Sequence, residues 1–431
     1  MPEIRQSPRP DPVSPGGSRP DGPRIVLFGH LIGSEFGGEG LLPCQYFRVL
    51  LGRGADVWLL APERSAEDLK KIFPDNQDRI VIVSEGRIER AIWLMLGRLF
   101  PLISRWLLTT IDYWRATPYL KRLAAGARAC VLHQVNPVSP RIPLIGRKPE
   151  MALIVGPLNG PLDYPPAFRG LLHHADRVSY ALGELFVRLL GPSLDNRTRA
   201  SRLLVANKRT EETVPAYLRS IPLSVLPENG VDLGIFARDE AGGPTSLGGP
   251  RFAYVGALIE WKGVHYLLKA FAALPEGFDA RLEIVGDGIM RHKLERMAEA
   301  LGIAEHTHFH GHLGHGQIRE VLKDVTALVL PSMRECGGAV MLEAMAMSRP
   351  VVATAWGGAL DYLDETCGIL VEPSSATGFV ENLTQAMIRL SENSELARKM
   401  GEKGRLRVEE QYDWEGKVDR IMEIYLSAAA S

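Results

Sequence analysis

Glu335 and Glu343 stand eight residues apart on either side of a glycine pair, and the elements around them make that spacing informative. An apolar strand is predicted from Ala327 to Leu330. A short loop then carries Glu335, Gly337 and Gly338, and a helix is predicted from Ala339 through Glu343 to about Ser348. Pro350 stops that helix, and a second apolar strand runs from Val351 to Thr354. Such a unit aims the helix N-terminus past the carboxyl end of the strand, where free N–H groups and the positive end of the helix dipole favour an anion. The glycines let the backbone approach a ligand closely, and each carboxylate can accept two hydroxyl hydrogen bonds. Phosphate together with hydroxyls is the chemistry of a sugar nucleotide.

Two series of strands and helices are available to position these groups. Arg24 to Phe28 reads as a strand, Gly37-Gly38-Glu39-Gly40 opens a helix, and Asp56 to Leu60 is the next strand. Ile80–Val83, Ala129–Leu132, Leu153–Val155, Leu203–Ala206 and Ser224–Leu226 extend that series. A second series has strands at Phe252–Val255, Arg281–Val285, His308–Phe309, Ala327–Leu330, Val351–Ala353 and Gly368–Val371, with helices starting near Gly263, Met290, Gln317 and Ala339. The pattern predicts an α/β protein of two doubly wound, Rossmann-like domains facing across a cleft. The expected divisions are a disordered leader (1–23), a first domain (24–236), a linker rich in Gly, Pro, Ser and Thr (237–250), a second domain (251–405) and a C-terminal segment (406–431). The last helical stretch is amphipathic, with Val418, Ile421, Met422 and Tyr425 on one face.

Composition excludes several classes. At 431 residues the chain is too long for one core. A formal charge of −1 gives no basic field for nucleic acid. The four cysteines show no C-x-x-C spacing and read as reduced thiols. Seven prolines in the first 23 residues, and no apolar run of spanning length, predict a cytoplasmic protein.

The stretch 331–358 resembles the E-x7-E region of retaining glycosyltransferases of family 4 (glycosyl transferases group 1), which have the GT-B fold. The likeness includes both glutamates, Gly338, the Glu-Ala-Met-Ala helix, the Pro-Val-Val-Ala strand and Gly357-Gly358. Leu226-Pro-Glu-Asn-Gly-Val-Asp232, Leu282–Gly288 and Tyr254–Gly263 resemble further family elements. The resemblance implies that Glu335 holds donor-sugar hydroxyls, Glu343 the ribose, and Lys262 the donor diphosphate. It places Gly337, Gly338, Ala339, Val340, Arg334 and Gly286 in the donor site. Gly37, Gly38 and Asn159 fall on the acceptor side, and His133 beside the reacting sugar. It also implies that the C-terminal helix packs back on the first domain. One position departs: many family members carry an arginine five residues before the lysine, and here it is Ala257. Losing one of two cations at a diphosphate costs roughly 1.5–3 kcal/mol. Arg334 and Arg291 are candidates to replace it.

Two further clusters carry alternative readings. Five histidines lie between residues 306 and 315 (His306, His308, His310, His312, His315), and alternation would put several on one strand face, as in a metal site. Without an accompanying cysteine the expectation is no metal. Residues 87–122 hold seven basic and two acidic side chains with Trp93, Trp106 and Trp114 among leucines. They read either as helices packed on the first sheet or as a peripheral contact with anionic lipid at the inner membrane face. The resemblance implies a retaining transfer from a nucleoside diphosphate sugar to a glycan, lipid-linked or small-molecule hydroxyl, with no cofactor or metal needed. Two other readings accompany it: a silent sugar-nucleotide-binding partner of a transferase, which Ala257 motivates, and a nucleotide-sugar epimerase.

Overall fold

A computed structural model of the chain describes residues 22–86, 89, 92, 101–146, 150–160, 162–171, 184–185, 187–189, 191–237 and 249–430. Most of the expected leader (1–21) and linker (238–248) lies outside the described residues.

The apolar runs form two sheets in which every neighbouring pair of strands is parallel. The first contains β1 (Arg24–Phe28), β2 (Val57–Pro62), β3 (Ile80–Val83), β4 (Cys130–Gln134), β5 (Ala152–Leu158), β6 (Arg202–Val205) and β7 (Leu223–Val225), in the order β3-β2-β1-β4-β5-β6-β7. The second contains β8 (Arg251–Val255), β9 (Arg281–Val285), β10 (Thr307–Gly311), β11 (Ala327–Leu330), β12 (Val351–Thr354) and β13 (Gly368–Val371), in the order β10-β9-β8-β11-β12-β13. Parallel strands covered on both faces need apolar side chains at every position, and β11 and β12 are buried throughout. The period of two is visible in β1: Ile25 and Leu27 enter one core, Val26 and Phe28 the core on the opposite face.

Trp414–Ala430 is a helix whose Trp414, Val418, Ile421, Tyr425 and Ala428 join the first-sheet core around Leu27, Tyr46 and Val135. Spacing of three and four residues lines these groups on one face, and burying each large side chain is worth about 1.5–3 kcal/mol. The chain crosses between the halves at Tyr412–Asp413, not at the expected 405/406 boundary, which falls inside the helix Ser394–Gln411. Val408 and Met400 hold that helix on the second core. The chain also crosses earlier than the expected 237–250 linker, since Leu226 lies in the first core and Val231 and Phe236 in the second. Val231 N–H donates to the Tyr412 carbonyl (2.9 Å) and Trp414 N–H to the Val231 carbonyl (3.2 Å), which ties the two crossings together.

A second departure concerns residues 162–171, expected in the first domain. Tyr164 and Phe168 are buried in the second core, where Phe168 lies edge-on to Tyr266 and Phe379. This arm from the first sheet is therefore anchored across the cleft.

Candidate functional site

In the second sheet the strand order reverses between β8 and β11, and loops leaving the carboxyl ends of such neighbours form the ligand crevice of open α/β sheets. The β8 loop ends in a single 3-10 turn, Glu260–Lys262, and the β11 loop carries Glu335. Their side chains meet: Lys262 Nζ donates to Glu335 Oε2 at 2.5 Å, and Ser332 Oγ donates to the same oxygen at 3.2 Å. Gly263 follows with φ 70°, and a Cβ there would stand 2.1 Å from the Pro331 carbonyl oxygen, so the two loops touch backbone to backbone. The two side chains of this ion pair are mostly buried, 20% and 13% exposed.

Gly338 has φ 58° and ψ 54°, a left-handed conformation that starts the helix Ala339–Ala346. Amides of Ala339 and Val340 open that helix and have no acceptor within it. Gly358 N–H donates to the Glu335 carbonyl at 2.7 Å, which clamps the Glu335 backbone from behind. A lysine, a carboxylate and a helix N-terminus therefore converge at one crevice, as a diphosphate joined to a polyol requires.

Glu343 is buried in the same helix, and burial pushes its carboxyl up to about 7. His315 Nε2 lies 3.8 Å from it. Glu228, in the turn after β7, is likewise pushed up to about 7, chiefly by burial and against the lowering effect of its Asn159 hydrogen bond. A carboxyl whose folded value exceeds its unfolded value binds an extra proton when folded. Its stabilising contribution is present below about pH 4.5 and is lost as pH rises through about 7. Buried His133 and His265, both lowered to about 4, contribute the opposite slope. The clean readout is thus a difference: Glu343→Gln should gain stability relative to wild type as pH rises from 5 to 7.5, by on the order of 2 kcal/mol in denaturant titrations. An unchanged difference across that range would remove the assigned shift.

The other expected residues stand as follows. His133 is wholly buried, with Nε2 bonded to the Gly156 carbonyl (2.7 Å) and Nδ1 to Tyr425 Oη (2.6 Å); it holds the C-terminal helix against the sheet and has no surface for a sugar. Arg334 Nε donates to the Leu162 carbonyl (3.2 Å) and its guanidinium lies 5.3 Å from the Tyr164 ring, on the anchored arm. Arg291 is engaged by Glu295 (2.9 Å) and Asp287 (3.3 Å). A Cβ on Gly286 would stand 1.9 Å from the Gly256 carbonyl oxygen, so this glycine joins two loops. Gly37 and Gly38 are exposed in the first turn of the helix Gly37–Gly52. Beside them, the Glu39 carboxylate accepts from Val138 N–H at 3.1 Å, fixing this turn to the β4 loop at the reversal of the first sheet.

Asn159 lies in the cleft, and Nδ2 donates both to Glu228 and to the Cys336 carbonyl, the latter at 3.1 Å. Sequence reading missed Glu228; the available signal was an acid in a Pro-Glu-Asn-Gly turn at the interdomain crossing. In the histidine run, His310 Nε2 pairs with Glu283 at 2.8 Å. The helix Pro101–Ala124 packs Leu108, Tyr113, Ala116 and Leu120 inward and leaves Trp114 exposed; most of 87–100 lies outside the described residues. Among the described residues no helix is long and apolar enough to cross a membrane.

Comparison with known proteins finds similar sequences and a shared fold. Residues 238–407 match the family model described as Glycosyl transferases group 1. The chain is 32% identical over 178 residues to an alpha-D-kanosaminyltransferase of Streptomyces kanamyceticus, covering 41% of this chain and 45% of that one. It spans between 32% and 54% of the length of the curated relatives it matches. Among solved structures it resembles the sucrose-phosphate synthase of Thermosynechococcus elongatus, with a TM-score of 0.66 and 19% identity over 95% of this chain and all of that one (100%). It also resembles Anabaena Alr3699/HepE in complex with UDP-glucose, with a TM-score of 0.61 and 15% identity over 94% and 99% of the two chains. The chain has the two-domain GT-B fold of glycosyltransferases.

Proposed function

We propose that this protein is a glycosyltransferase that moves a sugar, with retention at the anomeric carbon, from a nucleoside diphosphate sugar to an acceptor hydroxyl, in the manner of family 4. The observation that carries the reading is the meeting of Lys262 and Glu335 at the reversal of the second sheet, beside the N-terminus of Ala339–Ala346. The HepE structure with UDP-glucose supports a sugar nucleotide as the donor class. Lys262 and the helix amides would stabilise negative charge on the departing diphosphate, with no metal needed. Glu335 would accept hydrogen bonds from the sugar hydroxyls, and Glu343 from the ribose. The bond from C1 to diphosphate oxygen breaks as the acceptor oxygen bonds to C1 on the same face. The acceptor's proton passes to the departing diphosphate.

Thermal melting against a panel of nucleoside diphosphate sugars tests the donor, since a ligand at 100 times its Kd stabilises by about 2.7 kcal/mol. One sugar nucleotide should raise the melting temperature and should be turned over with release of nucleoside diphosphate. Acceptors are supplied both in solution and on anionic vesicles, because exposed Trp114 beside a basic stretch suits a lipid-linked acceptor. Binding without any sugar release, in either format, would overturn the catalytic reading.

A further inference from the structure

Glu228 is a buried carboxylate at the centre of four segments that have no sequence neighbourhood in common. Its side chain accepts from Asn159 Nδ2, in the loop after β5. That same Asn159 nitrogen donates to the Cys336 carbonyl, the residue next to Glu335. The Glu228 carbonyl accepts from Lys417 Nζ at 2.5 Å, and Lys417 is itself wholly buried, 4.1 Å from the Trp414 ring and 5.0 Å from the Tyr46 ring. The turn lies directly on the donor loop, because a Cβ at Gly337 would stand 2.1 Å from Asn229 Nδ2 and 3.2 Å from Glu228 Oε2. Asn159 is held in turn by its own N–H to the Val138 carbonyl (2.7 Å) and by Asn207 Nδ2 on its Oδ1 (3.3 Å).

A buried carboxyl and a buried amide, each costly to leave unbonded, thus form a bridge between the two halves of the molecule. The bridge ends one residue from the carboxylate that faces the donor sugar. Gly358 N–H fixes the Glu335 carbonyl and Asn159 fixes the Cys336 carbonyl, so two successive peptides of the donor loop are aimed from outside it.

We propose that Glu228 is a positioning residue: through Asn159 it sets the Cys336 carbonyl, and with it the aim of the Glu335 carboxylate, when the two domains are docked. This inference rests on the transferase reading and adds to it. The Glu228 carboxyl bonds to Asn159 and Lys262 to Glu335, with no hydrogen bond or ion pair between Glu228 and Lys262 or the first helix amides among the described residues, so turnover should fall further than nucleotide affinity.

The test measures kcat for transfer or donor hydrolysis, and Kd for UDP and GDP by calorimetry, on the full chain. Displacement of a reacting group by about 1 Å costs about 100-fold, so Glu228→Ala is expected to lower kcat by about 30- to 100-fold and to change the nucleoside diphosphate Kd by less than about 3-fold. Asn159→Ala should behave in the same way, and the double variant should be little worse than either single one. Glu228→Gln retains an oxygen that accepts from Asn159 and should stay within about 5-fold of wild type. Should Glu228→Ala not fold, Asn159→Ala and Glu228→Gln carry the test. A Glu228→Ala enzyme with normal kcat, an equal loss of kcat and nucleotide affinity, or additive single effects would each overturn the positioning role while leaving the transferase reading intact. A wild-type protein that binds neither nucleotide and turns over no donor would overturn the transferase reading itself.

Discussion

Lys262→Ala is expected to lower kcat by about 100- to 1000-fold, the effect of removing one preorganised donor from a site of developing negative charge. The ammonium is paired with Glu335 at 2.5 Å. When a diphosphate arrives, the lysine has two anionic neighbours, and the charge that grows on the leaving group strengthens its pull toward the phosphate. Without the ammonium, Glu335 becomes an uncompensated carboxylate beside an anion, so donor binding and turnover both suffer. The pair is mostly buried, with side chains 20% and 13% exposed, so the variant should also lose stability, by less than the roughly 3–5 kcal/mol of breaking a fully buried pair, and rates are compared on folded protein. Lys262→Arg keeps the charge but presents a planar fork in place of a point donor, and should recover only part of the rate. Since the position five residues before the lysine is Ala257, no arginine there shares the load, and the loss of Lys262 should weigh correspondingly more. Steady-state rates at saturating donor, with circular dichroism as the control for folding, make the comparison. A Lys262→Ala enzyme with wild-type kcat would remove the lysine from the site.

Much of the frame was legible in the sequence because a buried parallel strand is a short apolar run between turn residues. Ala327–Leu330 and Val351–Thr354 have no other way to satisfy their side chains and backbone together. The candidate crevice was legible for the same reason: it is built from two loops whose residues follow directly on such strands. What escaped were partnerships between distant segments. His133 looked like a loop histidine, but it is the fourth residue of β4 and is claimed by Tyr425, 292 residues away. Arg334 has its charge beside Glu335 in sequence, yet the Tyr164 ring and the Leu162 carbonyl draw it onto the arm. Nothing local in Tyr164-Pro-Pro-Ala-Phe168 announces that its aromatic groups belong to the other domain's core. Glu228 was invisible as a site residue because its meaning lies in Asn159 and Cys336, which only the docked domains bring together.

The contact between the two donor loops offers a second large effect, one that acts through backbone geometry alone. Gly263→Ala should destabilise the protein by about 3 kcal/mol and remove most activity. A left-handed residue with a Cβ costs roughly 1–2 kcal/mol, and the added methyl would meet the Pro331 carbonyl oxygen at 2.1 Å. Pro331 is the first residue after β11, so relief of that contact moves the loop bearing Glu335 away from Lys262. Two companion variants separate strain from contact. Gly277 has φ 81° with nothing within 4 Å of a built Cβ, so Gly277→Ala should cost only the strain, about 1 kcal/mol, and keep its rate. Gly358 has an ordinary helical φ of −64°, but a Cβ there would lie 2.1 Å from the Cys336 carbonyl oxygen, so Gly358→Ala carries the contact without the strain. If close approach of the loops matters for chemistry, Gly263→Ala and Gly358→Ala lose turnover together while Gly277→Ala does not. Equal losses in all three, scaling with their denaturation midpoints, would show that stability alone is being read. Full turnover in Gly263→Ala would mean that the two loops can part without disturbing the pair they hold.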